Sequence, residues 1–227
     1  MTVPALPGWF EPLLTNVRDS DRSDFSRIAT PDQGRPAAVL ILFGEDPEDG
    51  PDVLVLQRSA TMRTHAGQVA FPGGAADPGD TGPRATALRE AWEEVGLRPE
   101  TVTVLTELPR LWIPVSDFLV TPVLGWWHRP HPVAATAPAE VAHVARLPIG
   151  ELADPANRLR VRHPSGYVGA AFQVRGMLVW GFTAGLISAL LDLGGWSRPW
   201  DTARVESLPD SQLETATPRS SGTDPIG

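Results

Sequence analysis

The chain has 227 residues, a formal net charge of −8 at pH 7 and no cysteine. The negative charge disfavours nucleic-acid binding through a broad basic face, because such binding needs clustered cations. The lack of cysteine excludes disulfides, thiolate nucleophiles and cysteine-bound metals. All 19 basic residues are arginine, which excludes a Schiff-base lysine and a lysine-dependent phosphate loop.

Composition and hydropathy predict three segments along the chain. Residues 1–34 form a mixed lead-in, and residues 35–200 form one globular domain. Residues 201–227, rich in Ser, Thr, Pro and Asp, are predicted to be a disordered tail. The sequence shows no positively charged leader and no run of about 18 apolar residues, so we expect a cytoplasmic protein that binds neither membrane nor nucleic acid.

The first predicted elements of the domain are two strands, residues 37–43 and 53–57, joined by an acidic turn. A loop rich in Gly, Pro, Asp and Thr follows over residues 58–83, interrupted by a short apolar run at 68–71. Ordered loops of this length are usually functional. We therefore expect this loop to carry binding residues.

The clearest predicted helix spans residues 83–95. Asp80 or Thr81 is suited to cap its start, Pro83 suits its first turn, and Gly96 ends it. Because strands and helices alternate, we predict an α/β fold with helices packed on a mixed sheet. The later predicted elements are strands at residues 102–107, 118–126, 140–147 and 176–180 and a second helix at 183–193.

The two sides of the first predicted helix differ in character. Its apolar stripe, which we expect to face the core, comprises Leu88, Ala91, Trp92 and Val95. The opposite side carries Glu90, Glu93 and Glu94. Such an acidic side is ordinarily a solvated surface, but here like charges repel at helical spacing and the helix dipole disfavours anions near the C-terminal end. A bound cation would offset both effects, so we predict a site for Mg²⁺ or Mn²⁺.

This helix and the residues before it resemble a known family motif. The matching residues are Gly73, Gly74 and Asp80, followed by Arg89-Glu90-Ala91-Trp92-Glu93-Glu94-Val95-Gly96-Leu97, and they resemble the Nudix box. Two departures occur upstream, because Asp80 replaces the usual Glu and eight residues, instead of seven, separate it from Arg89. Both departures are usual in the coenzyme A diphosphatase branch of the Nudix hydrolases.

The loop before the box is similar to the signature of that branch. The similar segments are residues 54–59, Arg63, residues 65–69 and residues 71–74 in the loop region, and residues 120–123, 140–141 and 180–184 downstream. The resemblance therefore covers about residues 35–195. It implies a Nudix-type α/β/α sandwich around a mixed sheet, with a loop-helix-loop active site.

The resemblance also assigns roles to residues of the site. It implies that divalent metal, Mg²⁺ or Mn²⁺, is held by Glu90, Glu93 and Glu94 with the carbonyl of Gly73. Arg89 is expected to orient Glu93 by an ion pair one helical turn away. The base that accepts the proton of the attacking water stays open between Glu90, Glu93 and Glu140, since Glu140 is equally suited to be a surface residue before a strand.

The substrate-binding residues are expected in the same loop. Arg58 and Arg63 are candidates for binding the substrate's phosphates, because arginine binds phosphate oxygens bidentately. The alternative interpretation is that both are ordinary surface arginines. His65 either binds substrate or braces the loop, and Gln68 of the same signature is a further candidate.

Three functional hypotheses follow from the sequence. The first is hydrolysis of coenzyme A or its derivatives to 3′,5′-ADP and (acyl-)4′-phosphopantetheine. The second is a Nudix pyrophosphatase for another nucleoside diphosphate derivative, such as ADP-ribose. The third is a non-catalytic nucleotide-binding sensor, which the intact acidic helix disfavours. The partner is a small coenzyme A-like nucleotide in the first case, and a homodimer is possible in all three.

Overall fold

The computed structural model of the protein describes residues 6–26, 34–60, 62, 65–114, 116–209 and 212. The helices are α1 (Glu11–Asp19), α2 (Arg22–Phe25), α3 (Pro83–Val95), α4 (Ile149–Leu152) and α5 (Gly181–Leu193). The strands are β1 (Arg35–Asp46), β2 (Gly50–Arg58), β3 (Val69–Ala70), β4 (Gly73–Ala75), β5 (Val102–Glu107), β6 (Leu111–Ile113), β7 (Phe118–Trp127), β8 (Val141–Pro148), β9 (Arg158–Arg162), β10 (Val168–Val174), β11 (Met177–Val179) and β12 (Val205–Ser207).

The larger of two sheets is mixed, as predicted. Its path runs β3-β2-β1-β7-β5, with β4 also paired to β1, β6 to β7 and β8 to β2. Strands β1 and β7 are parallel, from Arg35 opposite Phe118 to Phe43 opposite Trp126. Both central strands are almost continuously buried, which is typical of parallel strands covered by helices on both faces.

Successive side chains of β1 fill two cores on opposite faces of this sheet. Leu40 and Leu42 pack in a cluster with Ala87 and Val95 of α3. The intervening β1 side chains pack in a second cluster with apolar residues of α1 and α5. The fold is therefore an α/β/α sandwich, and the predicted Nudix-type architecture is confirmed. No helix in the described ranges is long and apolar enough to cross a membrane.

The boundaries of α3 match the predicted helix, but its start and its buried face differ from the prediction. The residue before the helix is Gly82, and no side chain caps its first amides. Trp92 is 57% exposed, so placing it in the core was wrong. The helix turns its small residues Ala87 and Ala91 to the sheet, because alanine lets the helix backbone approach closely, and Trp92 lies outside that face.

A smaller sheet follows the order β11-β10-β9-β12. The sequence prediction missed β9 and β10, although Leu159 and Val161 alternate with arginines in the period-two pattern of a strand. These two side chains form a small buried cluster with Ala171 and Leu208.

The prediction of a disordered tail from residue 201 is wrong for residues 201–209. Strand β12 pairs in parallel with β9, with Val205 opposite Arg160, and Leu208 is 4% exposed. Backbone hydrogen bonds and one buried leucine order this segment despite its polar composition. Residues 213–227 lie outside the described residues. The lead-in also packs on the domain, since Leu13 of α1 is fully buried in the main core.

Candidate active site

Gly73 and Gly74 bring β4 close to both β1 and α3. Strand β4 pairs antiparallel with β1, where Ala38 lies opposite Gly74. A Cβ on Gly73 would lie 2.6 Å from the Cα of Val39, and a Cβ on Gly74 would lie 2.5 Å from Oε1 of Glu90. A side chain at position 73 would therefore collide with the backbone of β1, and one at position 74 would displace the carboxylate of Glu90.

Glu94 is the buried carboxylate of α3, with 3% of its surface exposed. Its Oε2 accepts a hydrogen bond of 2.9 Å from the backbone N–H of Gly73. Burial raises the pKa of Glu94 to about 7, against the opposing effects of the Gly73 amide and of Arg58. The negative charges of Glu90 and Glu140 raise this pKa further. The charges of Glu90, Glu140 and Arg58 therefore all act on Glu94.

Arg89 joins the acidic residues on the other side of α3. Its Nη1 donates to Oε1 of Glu90 at 2.9 Å and to Oε2 of Glu93 at 3.0 Å, so the expected ion pair with Glu93 is present. Its Nε and Nη2 donate to both carboxylate oxygens of Asp80, and Nη2 also donates to the carbonyl of Ala75. These bonds, first among them those to Asp80, raise the pKa of Arg89.

Asp80 is the residue of this site whose role sequence reasoning missed. Hydrogen bonds from Arg89 lower its pKa well below the usual range, and the hydroxyl of Thr86 also donates to it, at 2.8 Å. Asp80 thus joins the loop to α3 through its side chain and does not cap the helix. The sequence signal that could have predicted its pairing with Arg89 is its position in the motif, where an acid precedes an arginine.

Glu90 and Glu93 are held by Arg89, and they differ in exposure. The side chain of Glu90 is 17% exposed and that of Glu93 is 46% exposed. Burial raises the pKa of Glu90, although Arg89 lowers it. In these orientations, no three His, Asp or Glu side chains of the described ranges are gathered as a metal centre.

The donor chemistry of α3 nevertheless fits a hard cation. Carboxylate oxygens are the ligands that Mg²⁺ and Mn²⁺ prefer. Glu94 is buried without an ion pair to any described residue, which is a costly position for a charged carboxylate unless a cation accompanies it. Glu90 lies next to the backbone of Gly74, and its charge acts on Glu94.

Glu140 lies directly before β8 and is exposed. Its carbonyl accepts a hydrogen bond of 2.7 Å from the N–H of Ser59, which joins it to the start of the signature loop. Its charge also raises the pKa of Glu94. The structure thus brings Glu140 near the acidic residues of α3, and its side chain remains free to approach a ligand from solvent.

Arg58 ends β2 at the base of the signature loop. Its backbone N–H donates to the carbonyl of Gln68, and its carbonyl accepts from the N–H of Gly67. The side-chain Nε of Arg58 is buried and has no hydrogen-bond partner among the described residues. A buried donor without an acceptor is costly, so this atom points to an acceptor that the described chain does not supply.

His65 and Gln68 contact each other within the loop. Nδ1 of His65 lies 3.0 Å from Oε1 of Gln68. Burial lowers the pKa of His65, which favours its neutral form. His65 has a backbone φ of 58°, and its carbonyl accepts from the N–H of Gln68. These contacts hold His65 and Gln68 together within the loop, and Arg63 lies outside the described residues.

A cleft of about 690 Å³ lies elsewhere, at the opposite end of β2 and β8 from Arg58. It is bounded by Asp46, Asp52 and Arg146, and no predicted site residue lines it. Arg146 forms ion pairs with both of these aspartates, so these three charged groups satisfy one another.

Comparison with known proteins gives a family and a set of relatives. The NUDIX domain family matches residues 34–165. The uncharacterized Nudix hydrolase NudL of Cronobacter sakazakii is 44% identical over 163 residues, which cover 69% of this chain and 81% of that protein. The protein of the same name from Citrobacter koseri is 43% identical with the same coverage.

A solved structure also resembles the chain. The Nudix hydrolase RenU of M. smegmatis aligns with a TM-score of 0.47 and 22% identity, over 75% of this chain and 94% of that one.

Proposed function

The chain belongs to the Nudix hydrolases, which act on pyrophosphate bonds, and we propose that its substrate is coenzyme A or an acylated derivative. Cleavage of the diphosphate bond would give 3′,5′-ADP and (acyl-)4′-phosphopantetheine. The reaction takes place at the site around α3, in the cytoplasm. Nudix hydrolases generally use divalent metals such as Mg²⁺, and we propose Mg²⁺ or Mn²⁺ for this one.

One observation carries the proposal. Among the described residues, the buried carboxylate of Glu94 has no ion pair and the buried Nε of Arg58 has no acceptor, and the charge of Arg58 acts on Glu94. A metal ion accompanied by a phosphate group satisfies both, since the ion neutralises the carboxylate and a phosphate oxygen accepts from the arginine. A diphosphate substrate brings these two partners together.

Glu90, Glu93 and Glu94 would hold the metal, with the carbonyl of Gly73 as a further ligand. When bound, a divalent ion neutralises charge on the diphosphate and lowers the pKa of water. The chain's own contribution is orientation. Arg89 fixes the carboxylates of Glu90 and Glu93 from one side, and the Gly73 amide fixes Glu94 from the other.

The reaction also requires a group that accepts the proton of the attacking water. Three carboxylates are candidates, Glu90, Glu93 and Glu140. Glu140 has the solvent-exposed carboxylate beside the loop, whereas Arg89 holds the other two. Each of the three is replaced by Gln, and kcat is measured against pH. The variant that lacks the base should lose the fall of kcat on the acidic side of the profile, because that fall reports protonation of the base.

The choice of coenzyme A rests on the signature loop. Coenzyme A bears a 3′-phosphate in addition to its diphosphate, so its enzyme needs an extra cationic contact. Arg58 and Arg63 supply two guanidinium groups in that loop, and His65 and Gln68 brace it.

A substrate panel tests the proposal. With Mg²⁺ or Mn²⁺, we expect kcat/KM for coenzyme A to exceed that for dephospho-coenzyme A and ADP-ribose by about ten- to a hundredfold, the worth of one charge-assisted contact. An equal or higher kcat/KM for ADP-ribose would reject coenzyme A as the preferred substrate. The assignment of the protein as a diphosphate hydrolase would still stand. Binding of these nucleotides without turnover of any would favour a sensor.

A further inference from the structure

Residues 205–209 and Gln212 lie between the smaller sheet and the signature loop, and the N–H of Gln212 donates to the carbonyl of Pro209 at 2.8 Å. Strand β12 pairs with β9. The N–H of Leu208 continues this pairing with a bond of 3.0 Å to the carbonyl of Arg162, and the side chain of Leu208 is buried beside Val161. The segment 205–209 is therefore fixed to the domain.

Gln212 makes the contact between this segment and the loop. Its Oε1 accepts a hydrogen bond of 3.0 Å from Nε1 of Trp180, and the ring of Trp180 is stacked on His163. Its Nε2 lies 3.8 Å from the position that a Cβ on Gly67 would occupy. One end of the Gln212 amide thus accepts a hydrogen bond from Trp180, while the other end lies beside Gly67.

Gly67 in turn connects the loop to Arg58. The N–H of Gly67 donates to the carbonyl of Arg58 at 3.1 Å, and the carbonyl of Gly67 accepts from Nε2 of Gln57 at 3.1 Å. Both bonds end on consecutive residues of β2. A displacement of Gly67 would therefore move the backbone of Arg58, whose buried Nε has no acceptor among the described residues.

We propose that residues 205–209 together with Gln212 form a positioning element for the substrate loop, acting through Gln212 on Gly67. The inference rests on the proposed function for its effect on substrate. Gln212 touches no reacting group. Its role is to restrict the loop to the conformation in which Arg58 meets a phosphate, so that less conformational entropy is lost when substrate binds.

The test compares two variants with a matched control. Gln212→Ala removes the acceptor and the amide beside Gly67, and Trp180→Phe removes the Nε1 donor with one ring of the indole and keeps a six-membered aromatic ring. Gln173→Ala, at an exposed position of β10, is the control. For each of the two test variants we expect KM for coenzyme A to rise about two- to tenfold, the worth of one neutral hydrogen bond, with kcat unchanged.

The double variant gives a second kinetic readout. If Gln212 acts through its bond to Trp180, the effects of the two substitutions on KM are not additive, and the double variant resembles the more severe single one. Additive effects, an unchanged KM in both single variants, or a fall in kcat and melting temperature at constant KM would each overturn the proposal.

Amide hydrogen exchange tests the element independently of turnover. In Gln212→Ala and Trp180→Phe we expect faster exchange at the N–H groups of Gly67 and Gln68, because opening of the loop becomes easier, and no change in Gln173→Ala. This readout holds even if coenzyme A is not the substrate. Unchanged exchange in both test variants would reject the positioning role whatever the substrate is.

Discussion

Arg89 and Asp80 form a two-point ion pair, with Nε 3.1 Å from Oδ1 and Nη2 2.9 Å from Oδ2. The same guanidinium holds Glu90 and Glu93 through Nη1. Asp80 therefore fixes the plane of the arginine that fixes two predicted metal ligands. The pair couples the order of the loop before α3 to the orientation of the acidic residues on it.

Replacement of Asp80 by Asn should lower the melting temperature at neutral pH and reduce kcat. Asp77→Asn is the matched control, because the carboxylate of Asp77 is 64% exposed and lies 3.8 Å from Arg89. We expect a much smaller effect from the control. Equal behaviour of the two variants would show that the two-point geometry of Asp80 contributes nothing.

The stability that Asp80 provides should depend on pH. Arg89 lowers the pKa of Asp80 in the folded protein below its usual value of 3.8. A depressed carboxyl pKa stabilises the folded state above the unfolded pKa, and this contribution is lost as the pH falls through the folded pKa. Thermal melts in the presence of a metal chelator should therefore show a higher melting temperature for the parent than for Asp80→Asn at pH 7. This difference in melting temperature should narrow below pH 3.8. A gap that widens with acid would contradict this assignment.

Glu93→Gln should nearly abolish turnover while changing the melting temperature little. The substitution removes one predicted metal ligand and a partly exposed ion pair with Arg89, and such a pair contributes only about 0.3–0.5 kcal/mol. The relief of repulsion with Glu90 offsets part of this loss. Glu107→Gln is the control, since Glu107 forms a similarly exposed ion pair with Arg84 of the same helix. Turnover at the parental rate would show that Glu93 is not a required metal ligand, and unfolding of the variant would show that the role of Glu93 is structural.

Arg58→Gln should raise KM for coenzyme A by about ten- to a hundredfold, because a charge-assisted phosphate contact is lost. The buried Nε without a described acceptor is the structural reason. Arg18→Gln, on the exposed side of α1, is the control and should leave KM unchanged. Arg63→Ala should narrow the preference for coenzyme A over dephospho-coenzyme A, if Arg63 contacts the 3′-phosphate. A normal KM in Arg58→Gln would assign the phosphates to other residues.

The sequence predicts best where one local signal decides the structure. The ends of α3 follow from Pro83 and Gly96, whose backbone preferences permit little else. The inward face of the same helix was misassigned at Trp92, because the choice between two apolar faces depends on how closely the helix approaches the sheet. The distance between the helix and the sheet cannot be read from the periodicity of the sequence.

The contacts that the sequence could not predict are those between distant segments. The bond of Gln212 to Trp180 joins residues 32 positions apart, and neither belongs to a motif that specifies the other. Composition gave the opposite answer for residues 201–209, since a short edge strand is held by backbone bonds that any polar sequence can make. The pairing with β9 and the burial of Leu208 order this segment, and neither contact can be read from composition.

Two truncations separate the ordered part of the C-terminal region from the remainder. A chain that ends at Ala203 loses β12 and Leu208, and loss of a buried leucine costs about 2–5 kcal/mol, so we expect the melting temperature to fall by roughly 4 °C or more. A chain that ends at Gln212 keeps the strand, the leucine and the contact with Trp180. For this second chain we expect the parental melting temperature and KM. Equal melting of the shorter chain and the parent would show that β12 adds no stability, whereas a loss of stability in the longer one would show that residues beyond 212 also pack on the domain.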